Sequence, residues 1–381
     1  MSVIASVAPR DGGTTNCVLA LGRTLRKLGT QNLIETTDAD GYRARLNYPL
    51  GLHDLGGALV CMHRFHAPRK LKASAGHAQH IWARTRTADV VHIHGLYLFS
   101  FVAAVLACWL RRVPYVIQPH GGLEPYHQRK SRLTKNVWDR VFGRPALKRA
   151  HAIVCASEFE AEHIKALGYR HTVVIPHGVE RQAGPPSAEI RERIALWGED
   201  CVVLFLGRLV AKKHPEVLVE AWSKRARCHC RLVFVGPDRR TAEDLAALSR
   251  QLGCNTSVDL LGELLGADKW AILERADLFA LPSENESFGI AVPEALTAGT
   301  AVLVTAAVAT SSDVRAACVG WVVTDFEVTT WTNALDRALA DPQALHVMGE
   351  SARTFAAQRY NWVEAAKKYR TLYAQARGGP T

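Results

Sequence analysis

Two glutamates stand eight residues apart in the segment LPSENESFGIAVPEAL. We expect Glu286 to precede a helix and Glu294 to lie about two turns further on, where both carboxylates can accept hydrogen bonds from sugar and ribose hydroxyls. The amides of Ser287, Phe288 and Gly289 would face the same ligand at the helix start, because N–H groups there favour anions. Two carboxylates on an exposed helix would be unremarkable, but the Pro-Ser, Phe-Gly and Glu-Ala-Leu context argues against coincidence.

A pair of basic residues follows a predicted strand, Cys201–Leu206. Arg208 and Lys213 lie five residues apart in the loop GRLVAKK. At the mouth of a parallel sheet they could clamp a diphosphate, the arginine as a planar fork and the lysine as a point charge. Taken alone, such a pair is more often part of a solvated loop, and that alternative stays open.

Two glycine-containing loops follow predicted strands in the first half of the chain. Gly12 and Gly13 lie in PRDGGTT, before an amphipathic helix predicted over Asn16–Leu28. They could admit a phosphate to the helix start, or they could form a tight turn and nothing more. In QPHGG, His120 beside Gly121 could hydrogen-bond a substrate hydroxyl or polarise a reacting group, and a structural turn histidine is the alternative.

Short β-branched runs alternate with longer helical stretches along the chain of 381 residues. This predicts an α/β protein with two Rossmann-like, doubly wound units, whose parallel sheets are covered by helices on both faces. Ligands bind such sheets at the carboxyl ends of the strands, where the loops above lie. The predicted strands are Val3–Val7, Gly57–Met62, Val90–His94, Tyr115–Pro119, Ala152–Cys155, Val173–Pro176, Cys201–Leu206, Arg231–Val235, Val258–Leu260, Leu278–Leu281 and Ala301–Thr305.

A stretch rich in proline and glycine, Glu180–Glu189, interrupts the periodic pattern and predicts a linker. We therefore expect an N-terminal domain over residues 1–183 and a C-terminal domain over residues 184–381. The last helices, within Ala344–Ala376, are long enough to reach back across the linker and pack on the first domain.

In combination, these motifs resemble family 4 of the retaining glycosyltransferases (group 1), which have the two-domain GT-B fold with a cleft between the domains. The resemblance covers nearly the whole chain, and its most specific part is the pair of glutamates eight residues apart. One departure is His214, which follows Lys213 where the family usually has glycine. The motifs that carry the resemblance are Gly12-Gly13, His120-Gly121, Gly207-Arg208 with Lys213, Glu286 with Glu294, VVIPHGVE and VLFLGRL.

The resemblance implies transfer of a hexosyl unit from a nucleotide-diphosphate sugar, with retention of configuration and without a metal or other cofactor. The donor would lie mainly against the C-terminal domain. Arg208 and Lys213 would neutralise the diphosphate leaving group. Glu294 would hold ribose hydroxyls, and Glu286 would hold the transferred sugar.

The resemblance also assigns residues of the N-terminal domain. Gly13, next to Gly12, would approach the diphosphate, and His120 would lie near the anomeric carbon. His120 and Glu286 are thereby the predicted catalytic residues. Fixed cations at the leaving phosphate fit this reaction, because negative charge grows there in the transition state.

Positive charge is concentrated in the first half of the chain. Residues 1–190 contain 25 Lys and Arg residues and 13 Asp and Glu residues, a net charge of +12. Residues 191–381 contain 22 Lys and Arg residues and 23 Asp and Glu residues, a net charge of −1. Within the first half, Arg64–Lys72 is basic, and Arg129–Arg149 alternates basic and apolar residues. That pattern suits either a helix on an anionic membrane or an ordinary solvated helix face. The resemblance to the glycosyltransferases, and not the charge, implies a glycan or lipid-linked acceptor in lipopolysaccharide or exopolysaccharide assembly.

The remaining features bear on compartment and metal content. Nine scattered cysteines without a CxxC pair predict reduced thiols, and no secretory leader is visible, so we expect a cytoplasmic protein that can dock peripherally on the inner membrane face. The apolar run Leu96–Leu110 is too short to span a bilayer. His92 with His94, and Cys228-His229-Cys230, lack further ligands nearby, so we expect no metal site.

Three other functions share some of these features. Sugar-nucleotide epimerases also use the GT-B fold, and they need no acceptor. A basic nucleic-acid-binding protein is an alternative from another class, but no RNP, KH or helix-turn-helix pattern is evident, so no nucleic-acid partner is expected. A glycosidase fits less well, since Glu286 and Glu294 belong to one helix region and glycosidases place two carboxylates on opposite sides of a bond.

Overall fold

The computed structural model describes residues 1–66, 69–124, 138–225 and 229–378. The chain forms two compact units: the first contains Met1–Gly178 and Asn361–Thr381, and the second contains Val179–Tyr360. Each unit is built on its own parallel sheet. The predicted α/β class with two Rossmann-like units is confirmed.

The sheet of the first unit has eight strands in the order β10-β9-β8-β7-β1-β2-β6-β5. Neighbouring strands run parallel, except that the edge strand β5 is antiparallel to β6. Strands β3 and β4 form a separate antiparallel pair. The strands are β1 Ser2–Val3, β2 Leu33–Thr37, β3 Ala39–Asp40, β4 Ala44–Arg45, β5 Gly51–Leu55, β6 Ala58–His63, β7 Val91–His94, β8 Tyr115–Gln118, β9 Ala152–Cys155 and β10 Thr172–Val174.

Helices connect the parallel strands of the first unit, as crossover connections require. They are α1 Gly13–Lys27, α2 Ala75–Arg84, α3 Phe99–Arg111, α4 Arg144–Arg149 and α5 Glu158–Ala166. Helix α3 contains most of the apolar run noted in the sequence. Its inner face, which includes Phe101, Ala104 and Val105, is buried in a core cluster with Ile93 and Ile117 of the sheet. No helix in the described part of the chain has both the length and the hydropathy of a membrane span.

The sheet of the second unit has six parallel strands in the order β13-β12-β11-β14-β15-β16. The strands are β11 Cys201–Leu206, β12 Cys230–Val235, β13 Val258–Leu260, β14 Leu278–Leu281, β15 Ala301–Thr305 and β16 Gly320–Val323. The helices are α6 Ala188–Trp197, α7 Pro215–Ser223, α8 Arg239–Gln251, α9 Gly266–Arg275, α10 Ala291–Ala298, α11 Ser311–Ala317, α12 Val328–Leu339 and α13 Pro342–Arg359.

The last helix, α14 (Trp362–Arg377), belongs to the first unit. The side chain of Asn361 caps it by accepting hydrogen bonds from the amides of Val363 and Glu364, at 2.8 and 3.3 Å. Tyr369 is buried in a cluster with residues of α1, β8 and β9, and its hydroxyl donates to Oε1 of Gln118 at 3.1 Å. The chain therefore returns to its starting unit, and α14 completes one of the first unit's core clusters.

Several strands differ from the sequence predictions. The first strand ends at Val3 and does not extend to Val7. Ser6 explains this, since its hydroxyl bonds the carbonyl of Ala39 at 2.7 Å and the amide of Ala8 at 3.1 Å, which turns the chain out of the ladder. Strand β2 was missed because its sequence, LIETT, looks half exposed, although its Glu and Thr residues are buried. Strands β3, β4, β5 and β16 were also not predicted.

The division between units also differs from the predicted boundary after residue 183. The predicted linker is bonded to α9 of the second unit: Arg181 pairs with Glu274 at 2.5 Å, and the amide of Ser187 donates to Asp268 at 2.6 Å. The second unit therefore begins at Val179, and residues 361–381 belong to the first unit.

Replacing Tyr369 by alanine should lower the free energy of unfolding of the first unit by about 3–5 kcal/mol, because a fully buried aromatic ring leaves a cavity. Urea denaturation followed by circular dichroism measures this change. Arg370→Ala, on the exposed side of the same helix, should change stability by less than about 0.5 kcal/mol. Equal effects of the two variants would contradict the docking of α14 through Tyr369.

Candidate active site

The end of β11 is shaped by Gly207, whose φ is +148°. A Cβ atom at this position would lie 2.5 Å from Nζ of Lys213, so a side chain here would displace that ammonium group from its observed position. The amide of Gly207 donates to the carbonyl of Val235 at 2.9 Å and continues the pairing of β11 with β12. The strand end therefore holds the lysine side chain close to the backbone.

Lys213 and Glu286 form an ion pair, with 3.0 Å between Nζ and Oε1. Their side chains are only 11% and 15% exposed, so water screens this pair less than a surface pair. The hydroxyl of Ser283 also donates to Oε1 of Glu286, at 3.3 Å. The structure thus brings together two of the predicted site residues, one from each of two loops.

Lys212 joins the same two loops. Its carbonyl accepts from the amide of Glu284 at 2.9 Å, and its Nζ donates to the carbonyl of Asn285 at 3.1 Å. The hydroxyl of Thr305, at the end of β15, donates to the carbonyl of Ser283. Sequence reasoning did not single out these positioning residues, because their partners become neighbours only when β11, β14 and β15 pair.

His214 occupies a left-handed backbone conformation, with φ +44° and ψ +47°. Glycine reaches this region without steric cost, which explains why glycine is usual here in the family that the sequence resembles. The imidazole lies between two carboxylates: Nδ1 is 3.1 Å from Glu216 and Nε2 is 3.6 Å from Glu284. These contacts hold the side chain while the backbone keeps a turn that glycine would adopt.

The start of α10 corrects the predicted arrangement of the glutamates. The helix begins at Ala291, so Glu286 precedes it as expected, but Glu294 lies in its first turn and not about two turns along it. Gly289, with φ +67°, separates Glu286 from the helix. Because the helix starts late, the amides of Ser287, Phe288 and Gly289 lie in the preceding loop and not in the first turn.

Glu294 and Arg208 have different surroundings. The carboxylate of Glu294 pairs with Nζ of Lys269 on α9 at 2.7 Å, and both side chains are largely buried. Arg208 is exposed, and within the described ranges no hydrogen bond or ion pair is seen for it.

Phe288 packs its ring edge-on against Tyr360, with 6.0 Å between the ring centroids. Lys269 is a further site neighbour that sequence reasoning missed.

In the first unit, Gly12 precedes α1 with φ +63° and ψ −128°, a conformation that favours glycine. A Cβ atom there would meet no atom within 4 Å, so the space beside the loop is open. Gly13 is the first residue of α1, and the hydroxyl of Thr15 donates to the carbonyl of Ala8 at 2.9 Å. The helix therefore begins three residues before the predicted start at Asn16, and Gly13 lies in its first turn instead of in the preceding loop.

The loop that carries His120 is anchored by a buried carboxylate. Glu160 accepts from the amide of Gly121 at 2.9 Å and from the amide of Ala156 at 2.8 Å. Burial raises the pKa of Glu160 to about 7, against the lowering effect of those two hydrogen bonds. His120 itself adopts φ +52°. Glu160 is thus a positioning residue for the His120 loop, and no motif or spacing marks it in the sequence.

Four histidines form a row in the first unit, which we call the histidine row: His92, His94, His120 and His177. The ring centroids of His92 and His94 are 3.9 Å apart, and Nδ1 of His94 lies 3.1 Å from Nε2 of His120. The ring of His177 stacks on His120 at 5.7 Å. At the other end, Nδ1 of His92 bonds the hydroxyl of Tyr373 at 2.8 Å.

Burial is the main reason that the pKa values of the histidine row are lowered. It lowers the pKa of His92, His94 and His120 well below the ordinary value, and the nearby imidazoles lower these pKa values further. Burial lowers the pKa of His177 to about 4. All four rings are therefore neutral near pH 7, and His120 serves as a hydrogen-bonding group instead of a cation.

The predicted basic helix and the Cys228-His229-Cys230 segment are not part of the site described above. Cys228 and residues 129–137 of the predicted basic helix lie outside the described residues, and His229 is fully exposed. None of the described cysteines forms a disulfide bond. A cavity of about 940 Å³ in the first unit is lined by Met1, Leu33 and Val90, at the amino ends of strands. Because ligands of doubly wound sheets bind at the carboxyl ends, we do not assign the sugar donor to it.

Comparison with known proteins gives the family. The model of "Glycosyl transferases group 1" matches residues 186–355, and that of "Glycosyl transferase 4-like domain" matches residues 12–178. The D-inositol 3-phosphate glycosyltransferase of Xylanimonas cellulosilytica is 31% identical over 311 residues, 76% of this chain and 72% of that protein. The enzyme of the same name from Gordonia bronchialis is 32% identical over 203 residues, 50% of this chain and 44% of that protein.

Two further comparisons are more distant in sequence. The GDP-mannose:cellobiosyl-diphosphopolyprenol alpha-mannosyltransferase of Komagataeibacter xylinus is 23% identical over 76% of this chain and 72% of that protein. The crystal structure of Anabaena HepE in complex with UDP matches with a TM-score of 0.76 at 20% identity, over 98% of this chain and 99% of that one. The chain belongs to the group 1 glycosyltransferases of family 4 type, and its fold is GT-B.

The histidine row predicts a pH dependence of stability. Each ring is neutral in the folded protein but has an ordinary pKa near 6.5 when unfolded, so unfolding takes up protons below that pH. The free energy of unfolding should therefore fall as the pH drops from about 6.5 towards 4, by about 1.4 kcal/mol per pH unit for each such ring. Glu160 has the opposite effect. Because its pKa is raised to about 7, the folded protein binds up to one proton more than the unfolded chain between about pH 7 and 4.5, and this raises the free energy of unfolding as the pH drops.

Removing one ring isolates the effect. His177→Phe should reduce the slope of unfolding free energy against pH by about one proton between pH 6 and 4.5, as measured by urea titrations at several pH values. His346→Ala, at an exposed position, should leave the slope unchanged. An unchanged slope in His177→Phe would mean that His177 is protonated in the folded protein.

Proposed function

We propose that this protein transfers a hexosyl unit from a nucleotide-diphosphate sugar to a glycan or lipid-linked acceptor, with retention of configuration. The observation that carries the proposal is the largely buried pair of Lys213 and Glu286 at the carboxyl ends of β11 and β14. A cation and a carboxylate side by side match a donor with an anionic diphosphate next to a sugar rich in hydroxyls.

Lys213 is proposed to bind the diphosphate and Glu286 the hydroxyls of the transferred sugar. In the structure each group neutralises the other, which avoids leaving a buried charge unpaired. A bound donor would take over both interactions. Arg208, exposed beside the same loop, would add a second cation at the phosphates, and Glu294 would bind the ribose while Lys269 holds its carboxylate.

The proposed transfer forms a bond between the acceptor hydroxyl oxygen and the anomeric carbon, on the face from which the phosphate leaves. The bond from that carbon to the phosphate oxygen breaks, and its electron pair stays with the phosphate. The hydroxyl proton passes to the departing phosphate oxygen. The products are the glycosylated acceptor and a nucleoside diphosphate, and Lys213 stabilises the growing negative charge.

His120 is proposed as the catalytic group of the first unit. Its Nε2 is engaged by His94, so Nδ1 is the nitrogen left to hydrogen-bond a substrate hydroxyl. The ring is neutral, since burial lowers its pKa, so it orients this hydroxyl without adding charge to the site. Glu160 and the left-handed turn at His120 fix the loop in place.

The relatives guide the choice of donor and acceptor to test. HepE was crystallised with UDP, and the Komagataeibacter relative is named for GDP-mannose and a diphosphopolyprenol acceptor. We propose a role in glycan biosynthesis with an acceptor of that general kind, a glycan or a lipid-linked saccharide. No bound metal or other cofactor is required by the proposed step, because Lys213 and Arg208 supply the positive charge at the diphosphate.

A lipid-linked acceptor would be reached at a membrane, and the first unit offers a basic surface for it. Arg140, Arg144, Lys148 and Arg149 are exposed, whereas Ala146 and Leu147 of the same segment are buried. Arg149 lies over the ring of Trp109, 4.7 Å from its centroid, which joins this segment to the end of α3. There Leu110 is 72% exposed. We propose that this combination of basic and apolar side chains docks on anionic lipid.

A thermal-shift screen of UDP-, GDP-, ADP- and dTDP-sugars tests donor binding, because a ligand of the folded state raises the unfolding temperature. We expect one nucleotide series to raise the Tm of the wild type and of Lys224→Ala, an exposed-lysine control. Lys213→Ala should lose most of this shift. Equal shifts in both variants would remove Lys213 from the donor site.

Transfer itself is tested with Glu286→Gln, which keeps the shape of the side chain. We expect turnover with the identified donor to fall about 100-fold or more, as when one transition-state contact is removed. Glu350→Gln, exposed on α13, should retain full turnover. Full activity of Glu286→Gln would refute its assignment, and release of an altered free sugar nucleotide without acceptor would show an epimerase instead.

Membrane docking is tested by co-sedimentation with vesicles of phosphatidylglycerol and phosphatidylcholine at low salt. Reversing two charges in Arg140→Glu/Lys148→Glu should weaken binding about tenfold or more, since each basic residue near an anionic surface contributes about 1 kcal/mol. The matched reversal Arg240→Glu/Arg250→Glu on the second unit should bind like the wild type. Absence of wild-type binding would refute docking while leaving the transfer reaction untouched.

A further inference from the structure

A cluster of metal-binding side chains lies between α2 and the sheet of the first unit. Glu35 comes from β2, Cys61 and His63 from β6, and His80 from α2. One ligand atom of each residue lies within 4.8 Å of the ligand atoms of the other three. None of these residues has a part in the proposed donor chemistry.

The pairing of two parallel strands places three of the four side chains on one face of the sheet. Glu35 is in register with Cys61, and Cys61 and His63 are two residues apart on β6, so all three project to the same side. The opposite face of these strands is apolar, because Ile34, Val60 and Met62 pack in a cluster with residues of α1. An α/β protein normally also has apolar residues under a covering helix, and here that place holds a carboxylate, a thiol and an imidazole.

Burying these polar side chains lowers the stability of the fold unless their polar atoms find partners. Glu35 is fully buried, and Cys61 and His63 are 4% and 8% exposed. Oε2 of Glu35 lies 2.6 Å from Nε2 of His63. Oε1 of Glu35 is buried and has no hydrogen-bond partner in the described part of the chain, and Nε of Arg84 lies 4.0 Å from it. A buried carboxylate oxygen without a partner is destabilising by about 1–3 kcal/mol.

The chemistry of these four ligand atoms indicates which metal ion they would bind. Thiolate sulfur, two imidazole nitrogens and a carboxylate oxygen are the ligands of tetrahedral Zn²⁺, with bonds of about 2.0–2.3 Å. Ligand atoms in a tetrahedral zinc site lie about 3.5 Å from one another. The four ligand atoms here lie within 4.8 Å of one another, so side-chain shifts of about an ångström would bring them to that distance. Calcium and magnesium bind all-oxygen sites and do not suit this set.

We propose that Glu35, Cys61, His63 and His80 bind one zinc ion that fastens α2 to β2 and β6. Four protein ligands leave no position for substrate, so the site is structural and not catalytic. His77, one turn before His80 on α2, stacks on His63 with 5.3 Å between the rings and holds its orientation. His80 is exposed and provides the entry path for the ion. This differs from the expectation of no metal that the sequence supported.

The test uses the full-length protein, stripped with a chelator, dialysed and titrated with Zn²⁺ or Co²⁺. We expect one equivalent to bind, to raise the Tm, and, for cobalt, to give the visible absorption of a tetrahedral site with a near-ultraviolet thiolate band. His80→Ala changes an exposed residue and should fold, yet it should weaken zinc affinity at least about tenfold. Cys61→Ser should abolish the thiolate band.

Matched controls remove the same residue types elsewhere. His346→Ala and Cys318→Ser, both exposed positions in the second unit, should leave the stoichiometry, affinity and cobalt spectrum unchanged. Zinc binding equally tight in wild type and His80→Ala, or no metal-dependent Tm shift in the wild type, would overturn the proposal. The cluster would then be a buried pair of His63 and Glu35 without a metal.

Discussion

Parallel pairing of strands brings the carboxyl ends of β11, β14 and β15 to one edge of the second unit's sheet, and the proposed donor site depends on this constraint. Lys213 follows β11, Glu286 follows β14, and Thr305 ends β15. The hydrogen bonds among Lys212, Ser283 and Thr305 exist because these loops leave the sheet side by side. Without that arrangement the ion pair of Lys213 and Glu286 would have no fixed geometry.

Buried polar side chains are stabilised in different ways at the proposed donor site and in the histidine row. In the second unit, opposite charges neutralise each other in pairs, such as Lys213 with Glu286 and Lys269 with Glu294. In the first unit, burial lowers the pKa of each ring of the histidine row, and the rings remain uncharged. The proposed reaction fits this division, because the diphosphate needs positive charge whereas a sugar hydroxyl needs only a neutral hydrogen-bonding group.

Backbone conformations at the two loops show how local strain is accommodated. His120 and His214 both have positive φ, which costs a non-glycine residue about 1 kcal/mol or more. Each is held by surrounding carboxylates: Glu160 bonds the amide that follows His120, and Glu216 and Glu284 flank the ring of His214. Strain of this kind persists only where neighbouring contacts over-determine the conformation.

Much of the fold could be predicted from the sequence, because strands buried on both faces appear as short β-branched runs. The predicted bounds of Ala152–Cys155, Cys201–Leu206, Val258–Leu260, Leu278–Leu281 and Ala301–Thr305 agree with the structure. Strand β2 could not be predicted in this way, since its Glu35, Thr36 and Thr37 are polar residues that only the tertiary structure buries. The start of α10 was misplaced because the positive φ of Gly289 delays the helix, and no periodic pattern marks that turn.

The sequence by itself determined the fold class, the family and the residue types at the strand ends, because each of these depends on local pattern and spacing. Tertiary structure alone decided which of those residues meet. Glu160 anchors the His120 loop from 39 positions away. Glu35, Cys61, His63 and His80 come together from two strands and a helix. Contacts between distant segments depend on which strands become neighbours in a sheet. The sequence does not show these contacts, because the order of strands leaves no periodic signal within any one segment.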